Sequence, residues 1–417
     1  MREMKDSGFG WLRDIPLDWD ILKIKDGFVR KKAKALQNDP VVLSLARSGV
    51  KVRDISTNEG QLAASYYEYN PVTIDDMLLN PMDLQSGANC SISKVDGVIS
   101  PAYINLRYKE GFNPTFYDYY FKYQYWSYAF FSYGKGVSFD NRWTLNEDTL
   151  MNLPLLVPSK KEQDRIAAYL DEQCKKIDEI MTDIQSQIDT LEDYKRSVIS
   201  EAVTMGLNPN VEMKKTDMGW IKQVPAKWNI SRIASVYELR NEKVSDNDYQ
   251  PLSVTMKGVL PQLDTVAKSD AHDDRKLVRK GDFAINSRSD RRGSCGIAPC
   301  DGSISLINTV LCPLTNMNPI YYNWLFHTTE FADEFYKWGH GIVDDLWTTG
   351  WQEMKNILIP VPPVQEQEEI AKYLNEKCAD INSIIEVKKA QLETIENYKK
   401  SLIYEYVTGK KEVPENE

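Results

Sequence analysis

Pro158-Ser159-Lys160-Lys161-Glu162-Gln163-Asp164-Arg165-Ile166-Ala167-Ala168-Tyr169-Leu170 returns 204 residues later as Pro362-Pro363-Val364-Gln365-Glu366-Gln367-Glu368-Glu369-Ile370-Ala371-Lys372-Tyr373-Leu374. An apolar run with prolines precedes each copy, Leu153-Pro154-Leu155-Leu156-Val157-Pro158 and Ile357-Leu358-Ile359-Pro360-Val361-Pro362-Pro363. Proline stops strand-like structure there, and a helical periodicity begins. In the first copy Cys174, Ile177, Met181, Ile184, Ile188 and Leu191 alternate steps of three and four, and Val198 and Ala202 extend the series. The second copy gives Cys378, Ile381, Ile385, Leu392 and Ile395, interrupted once by Lys388. This is the a/d seam of a long helix. From Glu162 to Thr204 such a helix spans roughly 60 Å at 1.5 Å per residue. A stripe of that length needs a partner to bury it. The economical solution pairs the two long helices with each other, antiparallel.

The rest of the chain is duplicated as well. Gly10-Trp11 with Ile15-Pro16 and Trp19 returns as Gly219-Trp220 with Val224-Pro225 and Trp228, and Asp96-Gly97-Val98-Ile99-Ser100 returns as Asp301-Gly302-Ser303-Ile304-Ser305. The separations stay near 205 residues, far longer than a solenoid repeat, so a whole domain is duplicated. Between the opening Trp motif and the closing prolines, short apolar runs such as Val41-Val42-Leu43-Ser44-Leu45 are bounded by turn residues, which reads as strands. Asn113-Pro114 and Asn318-Pro319 each precede an aromatic-rich stretch, as an N-cap followed by proline at the first helical position. The fold expected is α+β: two globular domains of similar fold joined by two long antiparallel coiled-coil helices, with pseudo-two-fold symmetry.

At 417 residues, 42% hydrophobic and 27% charged, the chain can bury substantial cores. No segment resembles a signal peptide and no apolar run has membrane-spanning length, so no membrane is expected. The net charge of −10 argues against a protein that coats nucleic acid non-specifically, but not against a reader whose positive charge is local. The six cysteines are scattered, as in a reducing cytoplasm, and match no standard zinc module, so no metal site is expected.

The ordered set of elements, occurring twice, resembles the specificity subunit of type I DNA restriction–modification systems. Its most specific parts are the two Pro-(x)3-Glu-Gln-(x)2-Ile-(x)3-Leu stretches quoted above and the opening Lys5-Asp6-Ser7-Gly8-Phe9-Gly10-Trp11 with Ile15-Pro16 and Trp19. The resemblance covers essentially the whole chain. It implies a first target-recognition domain over 1–158, a central conserved helical spacer over 159–210, a second recognition domain over 211–362 and a C-terminal conserved spacer over 363–417. It also implies a prokaryotic, cytoplasmic protein that binds double-stranded DNA at a bipartite site. The helices would hold two modification (methyltransferase) subunits, which methylate adenine, and restriction (helicase-nuclease) subunits would join them. S-adenosylmethionine, ATP and Mg would then sit on those partners, and this chain would bind no cofactor. The alternative is a coiled-coil scaffold or adaptor without DNA readout.

No catalytic residue is expected. The Asn-Pro-(x)-aromatic tetrads superficially resemble the base-gripping motif of amino-methyltransferases. Their third residue is Thr115 or Ile320, however, and the chain has no suitably placed glycine-rich cofactor turn. With only His272, His327 and His340, a hydrolytic triad finds no support either.

Candidate DNA contacts fall on loops. Ser287 to Ser294 clusters Arg288, Ser289, Arg291 and Arg292 in a Gly/Ser setting, and Arg can fork onto guanine or clamp a phosphate. The equivalent Asn80 to Gly87 holds no arginine. That half would read through amide and backbone groups, with Gln85 and Asn89 able to pair with adenine, or from Lys94, Arg107 and Lys109 nearby. Gly134-Lys135-Gly136 and Gly339-His340-Gly341 allow close backbone approach, with Lys135 and His340 at the tips and Arg142 following the first. Arg30 and Lys31 in one copy, and Arg240 and Lys243 in the other, could track phosphates. For each of these the competing reading is a solvated turn or face.

Overall fold

The structure, a computed structural model, describes residues 2–56, 63–136, 143–262, 274–288, 291–314, 316–341 and 347–414. Arg142 and Ser289 lie outside the described residues. The chain divides into two units, Met1–Gln185 with Ala390–Glu417, and Ser186–Lys389. Both mix helix and strand, an α+β composition.

In unit 1 a four-stranded antiparallel sheet runs in the order Phe28–Arg30, Ile104–Tyr108, Met77–Leu79, Cys90–Ile92. Unit 2 repeats it as Tyr237–Arg240, Asn308–Pro313, Phe283–Asn286, Cys295–Ile297. The registers match: Met77 faces Leu106 as Phe283 faces Leu311. Smaller pairings are duplicated too. Asn70–Val72 with Gly97–Ile99 corresponds to Arg275–Val278 with Gly302–Ile304, and the hairpin Leu43–Ala46/Gly49–Val52 corresponds to Leu252–Thr255/Gly258–Pro261. The repeated Asp-Gly has a physical reason here. Asp96 and Asp301 each accept a backbone N–H at 2.8 Å, from Ile74 and Lys280. A Cβ on Gly97 or Gly302 would come within 3 Å of the adjoining strand or its leucine, Leu43 or Leu252.

The aromatic stretch forms the helix Pro114–Trp126 in unit 1, and Asn113 caps it by accepting from Phe116 N–H at 3.0 Å. In unit 2 the stretch breaks into Pro319–Phe326 and Thr329–Lys337, because Thr328 caps the second piece through Phe331 N–H. These helices belong to the cores. Phe116, Tyr117, Tyr120 and Phe121 are fully buried against Trp19 and Phe28, and Tyr321, Tyr322, Phe326 and Phe331 do the same around Trp228 and Tyr237.

The two long helices are Lys160–Met205 and Val364–Val407. Each begins with a buried glutamine that explains the Glu-Gln repeat. Gln163 accepts from Asn113 N–H at 2.8 Å and donates to Pro158 O at 3.0 Å; Gln367 accepts from Asn318 N–H at 2.8 Å and donates to Pro362 O at 2.8 Å. One amide thus ties the aromatic helix, the closing strand and the long helix together. Glu162 accepts from Trp19 Nε1 at 3.0 Å, whereas the buried Trp228 Nε1 lacks a partner among the described residues. Each helix ends on a glycine at positive φ, Gly206 (78°) and Gly409 (71°), where any other residue would be strained.

Within unit 1, Asp178 of the first long helix takes Lys399 of the second at 2.6 Å. Within unit 2, Lys388 donates to Gln187 at 2.5 Å and Lys195 donates to Asn382 at 2.8 Å, so the helix segments there run antiparallel. The Lys388 interruption is therefore met by a polar partner. Cys174, Ile177, Ile188, Val198 and Ala202, with Cys378, Ile381 and Ile385, are buried along the seam.

Candidate nucleic-acid interface

The sequence-selected cations sort into those held by their own domain and those left at the surface. The first group is organised by a duplicated buried carboxylate. Asp76 is fully buried; it accepts from Thr73 N–H at 2.8 Å, Lys31 Nζ at 2.6 Å and Arg107 Nη1 at 3.2 Å. Asp282, 2% exposed, accepts from Arg279 N–H at 2.8 Å and from Arg240 Nε and Nη2 at 2.5 and 3.1 Å. The hydrogen bonds to Asp282 raise the Arg240 pKa. Arg30 donates to the carbonyls of Lys31, Asn105 and Tyr103 and lies 3.5 Å from Glu147, while burial lowers its pKa. Arg30, Lys31, Arg107 and Arg240 thus brace the sheets of their own units. A buried acid keeps its counterion, since removing one partner strands the other. Lys243 is different: its 2.5 Å pair with Asp274 is solvent-exposed and therefore weakly held.

The Gly-(Lys/His)-Gly turns are built alike. Lys135 exchanges two backbone hydrogen bonds with Thr144, and His340 does so with Thr348, at 2.8–3.0 Å. In each, the indole of the following tryptophan packs on the first glycine. A Cβ on Gly134 or Gly339 would fall 2.4 or 2.3 Å from Nε1 of Trp143 or Trp347, which donates to Phe131 O or Tyr336 O. These glycines are required by contact. The Lys135 and His340 side chains are exposed.

The fold brings the arginine loop to the same place. Thr348 bridges Arg288 on one side and His340 on the other, and Thr349 N–H donates to Ser287 O at 2.9 Å. In unit 1 Leu145 N–H donates equivalently to Pro81 O at 2.9 Å. Arg288 N–H donates to Asn286 Oδ1 at 3.0 Å, just as Met82 N–H donates to Asn80 Oδ1 at 3.0 Å. Met82 is therefore the structural counterpart of Arg288, and it is 51% exposed. Arg292 pairs with Asp333 and lies over the Tyr336 ring. Arg291 is exposed at the head of the loop, and Lys94 is exposed between two strands of unit 1. Gln85 and Asn89 lie in a turn where Asn89 donates to Asp83 at 2.7 Å.

An open cleft of about 370 Å3 adjoins the arginine loop, and Asn241, Lys276, Ser287, Arg288, Thr309 and Thr348 supply its polar lining. Lys276 and Thr348 are functional candidates that the sequence reading did not select. The one available signal was the Trp-Thr pair that follows the glycine turn in both copies, Trp143-Thr144 and Trp347-Thr348.

No protein-family model matches the chain. The type I restriction enzyme MjaX specificity subunit of Methanocaldococcus jannaschii is 27% identical over 289 residues, 65% of this chain and 62% of that protein. The MjaVIII specificity subunit of the same organism is 23% identical over 282 residues, 62% of each. The matches thus span 62% of the length of these relatives. A solved structure described in terms of complex assembly and conformational transition of the type I R-M system aligns with a TM-score of 0.67, covering 95% of this chain and 99% of that one. Its identity is 12%, so it speaks to the fold. The chain is similar in sequence to type I restriction enzyme specificity subunits.

Among the described residues of the chain, no group of three or more His, Cys, Asp or Glu is placed to hold a metal ion. Nor is any described helix long and apolar enough to cross a membrane. Cys90, Cys174, Cys295 and Cys378 are buried, and burial pushes their thiols up, away from the reactive thiolate form.

Proposed function

We propose that the chain is the DNA-recognition subunit of a type I restriction–modification complex and carries no catalytic group of its own. On this reading residues 1–158 and 211–362 are two target-recognition domains, each reading half of a bipartite site. Residues 159–210 and 363–417 are the spacers, paired antiparallel as a coiled coil that joins the domains. Two modification subunits dock on the complex and methylate adenine with S-adenosylmethionine, and restriction subunits join with ATP and Mg. The protein works in a prokaryotic cytoplasm. Base-edge contacts choose the site, and phosphate contacts set the register.

One observation carries the reading. The frame is duplicated down to single hydrogen bonds, at Gln163 and Gln367 and at Asp76 and Asp282, while the exposed loops on it have diverged: Met82 against Arg288, Lys135 against His340. A shared frame with unlike loops suits two unlike half-sites at a fixed separation. The DNA contacts proposed are Arg288, Arg291, Lys135, His340, Lys94 and Lys243, with Arg292, Arg30, Lys31, Arg107 and Arg240 positioning the loops and strands around them.

The test is DNA binding at physiological salt by the chain alone and with its modification subunits. The expected result is weak binding alone, because local cations on a body of net charge −10 give little non-specific affinity, and tight, sequence-selective binding by the complex. A complex with no sequence selectivity would favour the adaptor reading.

A further inference from the structure

We propose that Arg288 reads a guanine in the major groove of one half-site, from within the cleft shared with Asn241, Lys276 and Thr348, and that the other half-site lacks this requirement because Met82 occupies the matching place. The proposal rests on the reading of the chain as a DNA-specificity subunit and adds the base class that one unit selects.

The chemistry of the cleft points to an acceptor-rich ligand. Acids outnumber bases in this chain by 61 to 51, yet the described residues lining the cleft include no carboxylate. They supply two cations, the Asn241 amide and the hydroxyls of Ser287, Thr309 and Thr348, with Ser287 and Thr309 in mutual contact at 3.0 Å. Lys276 Nζ uses one donor on Asn308 O at 2.7 Å and, with three protons, keeps others.

Arg288 has a fixed root, and its head is unclaimed among the described residues. Its N–H is held by Asn286, its carbonyl accepts from Tyr336 OH at 3.0 Å and Arg291 N–H at 3.3 Å, and its backbone bridges Thr348. No described residue claims its guanidinium. Its neighbours in unit 2 differ: Arg240 is taken by Asp282, Arg275 by Ser303, Arg279 by Asp301 and Arg292 by Asp333. The anchored backbone leaves only the side-chain rotamers to be ordered on docking, and the planar guanidinium fork matches the paired O6 and N7 acceptors of guanine. In unit 1 the same Asn-turn presents a thioether, which has no proton to give those acceptors and offers only apolar contact.

The test maps methylated adenines genome-wide in a methylation-free host expressing the full chain with its modification subunits. It compares wild type, Arg288→Ala, Arg288→Lys and Met82→Ala. Wild type should show an obligatory G·C pair in one half-site. Arg288→Ala should relax that position alone, lowering discrimination about 5- to 150-fold. Arg288→Lys should keep a weaker preference, and Met82→Ala should leave that position unchanged. A wild-type motif retained by Arg288→Ala, whether at full or uniformly reduced rate, would overturn the proposal and make Arg288 a phosphate or loop residue. Loss of all methylation by both Arg288 variants beside an active wild type would overturn it too, assigning the residue to assembly. Absence of any methylation motif with the wild-type chain would instead reject the underlying reading.

Discussion

Asp282 takes the guanidinium of Arg240 through two hydrogen bonds, 2.5 Å from Nε and 3.1 Å from Nη2, from a position 2% exposed. Its counterpart Asp76 holds Lys31 and Arg107 in the other unit. Replacing Asp282 strands Arg240 and replacing Asp76 strands Lys31 and Arg107, and each change also frees the turn N–H of Arg279 or Thr73. Asp282→Ala and Asp76→Ala should each destabilise their own unit by about 3 kcal/mol, the low end for a broken buried pair because the cation reaches solvent. Arg288→Ala should stay within about 0.5 kcal/mol of wild type. Denaturant unfolding checks this, and equal stabilities for the aspartate and Arg288 variants would refute it.

The Gln163 and Gln367 amides offer a sharper comparison. Each uses its oxygen as acceptor and its nitrogen as donor, both at 1% exposure. Alanine removes both bonds and should cost about 1–3 kcal/mol for each buried group left unsatisfied. Glutamate keeps the acceptor but sets an ionised oxygen against the carbonyl of Pro158 or Pro362. Gln163→Glu should therefore melt below Gln163→Ala at neutral pH and recover towards acid pH as the carboxylate gains a proton. Gln163→Glu indistinguishable from wild type would mean that the donor half of the amide contributes nothing.

Features encoded locally were legible in the sequence. The Asn113 and Asn318 caps and the proline after each need only neighbouring residues, and the seam through Cys174, Ile177 and Ile188 repeats at a period that only a helix produces. Features encoded across the chain were not. The Glu-Gln repeat was visible as a pattern, but its partner Asn113 N–H lies 50 residues away, and only the packed fold gives the amide its meaning. Lys31 and Arg107 look like surface cations until the sheet buries Asp76 between them. Lys276, Arg288 and Thr348 come from three separate stretches, and only the packed fold gathers them into one cleft. Net charge gave no hint of a cleft without described acids, because it averages over the surface.

On the proposed reading the long helices are also a ruler. Four residues inserted near Glu201 to Thr204 add roughly one turn, about 6 Å of axial length. Base steps are about 3.4 Å apart along a strand, so the second half-site should move one or two base pairs further out. Methylation mapping should return both half-sites unchanged with a longer unspecified gap. An altered half-site at the original gap would move recognition onto the helices.

The most direct measurement is genome-wide mapping of methylated adenine in cells carrying the modification subunits, with and without this chain. The expected result is one bipartite, asymmetric motif, two short half-sites at a fixed gap, present only when the chain is present. Methylation that does not depend on the chain, or a single contiguous motif, would contradict the claim that two unlike domains on a duplicated frame each read half of a DNA site.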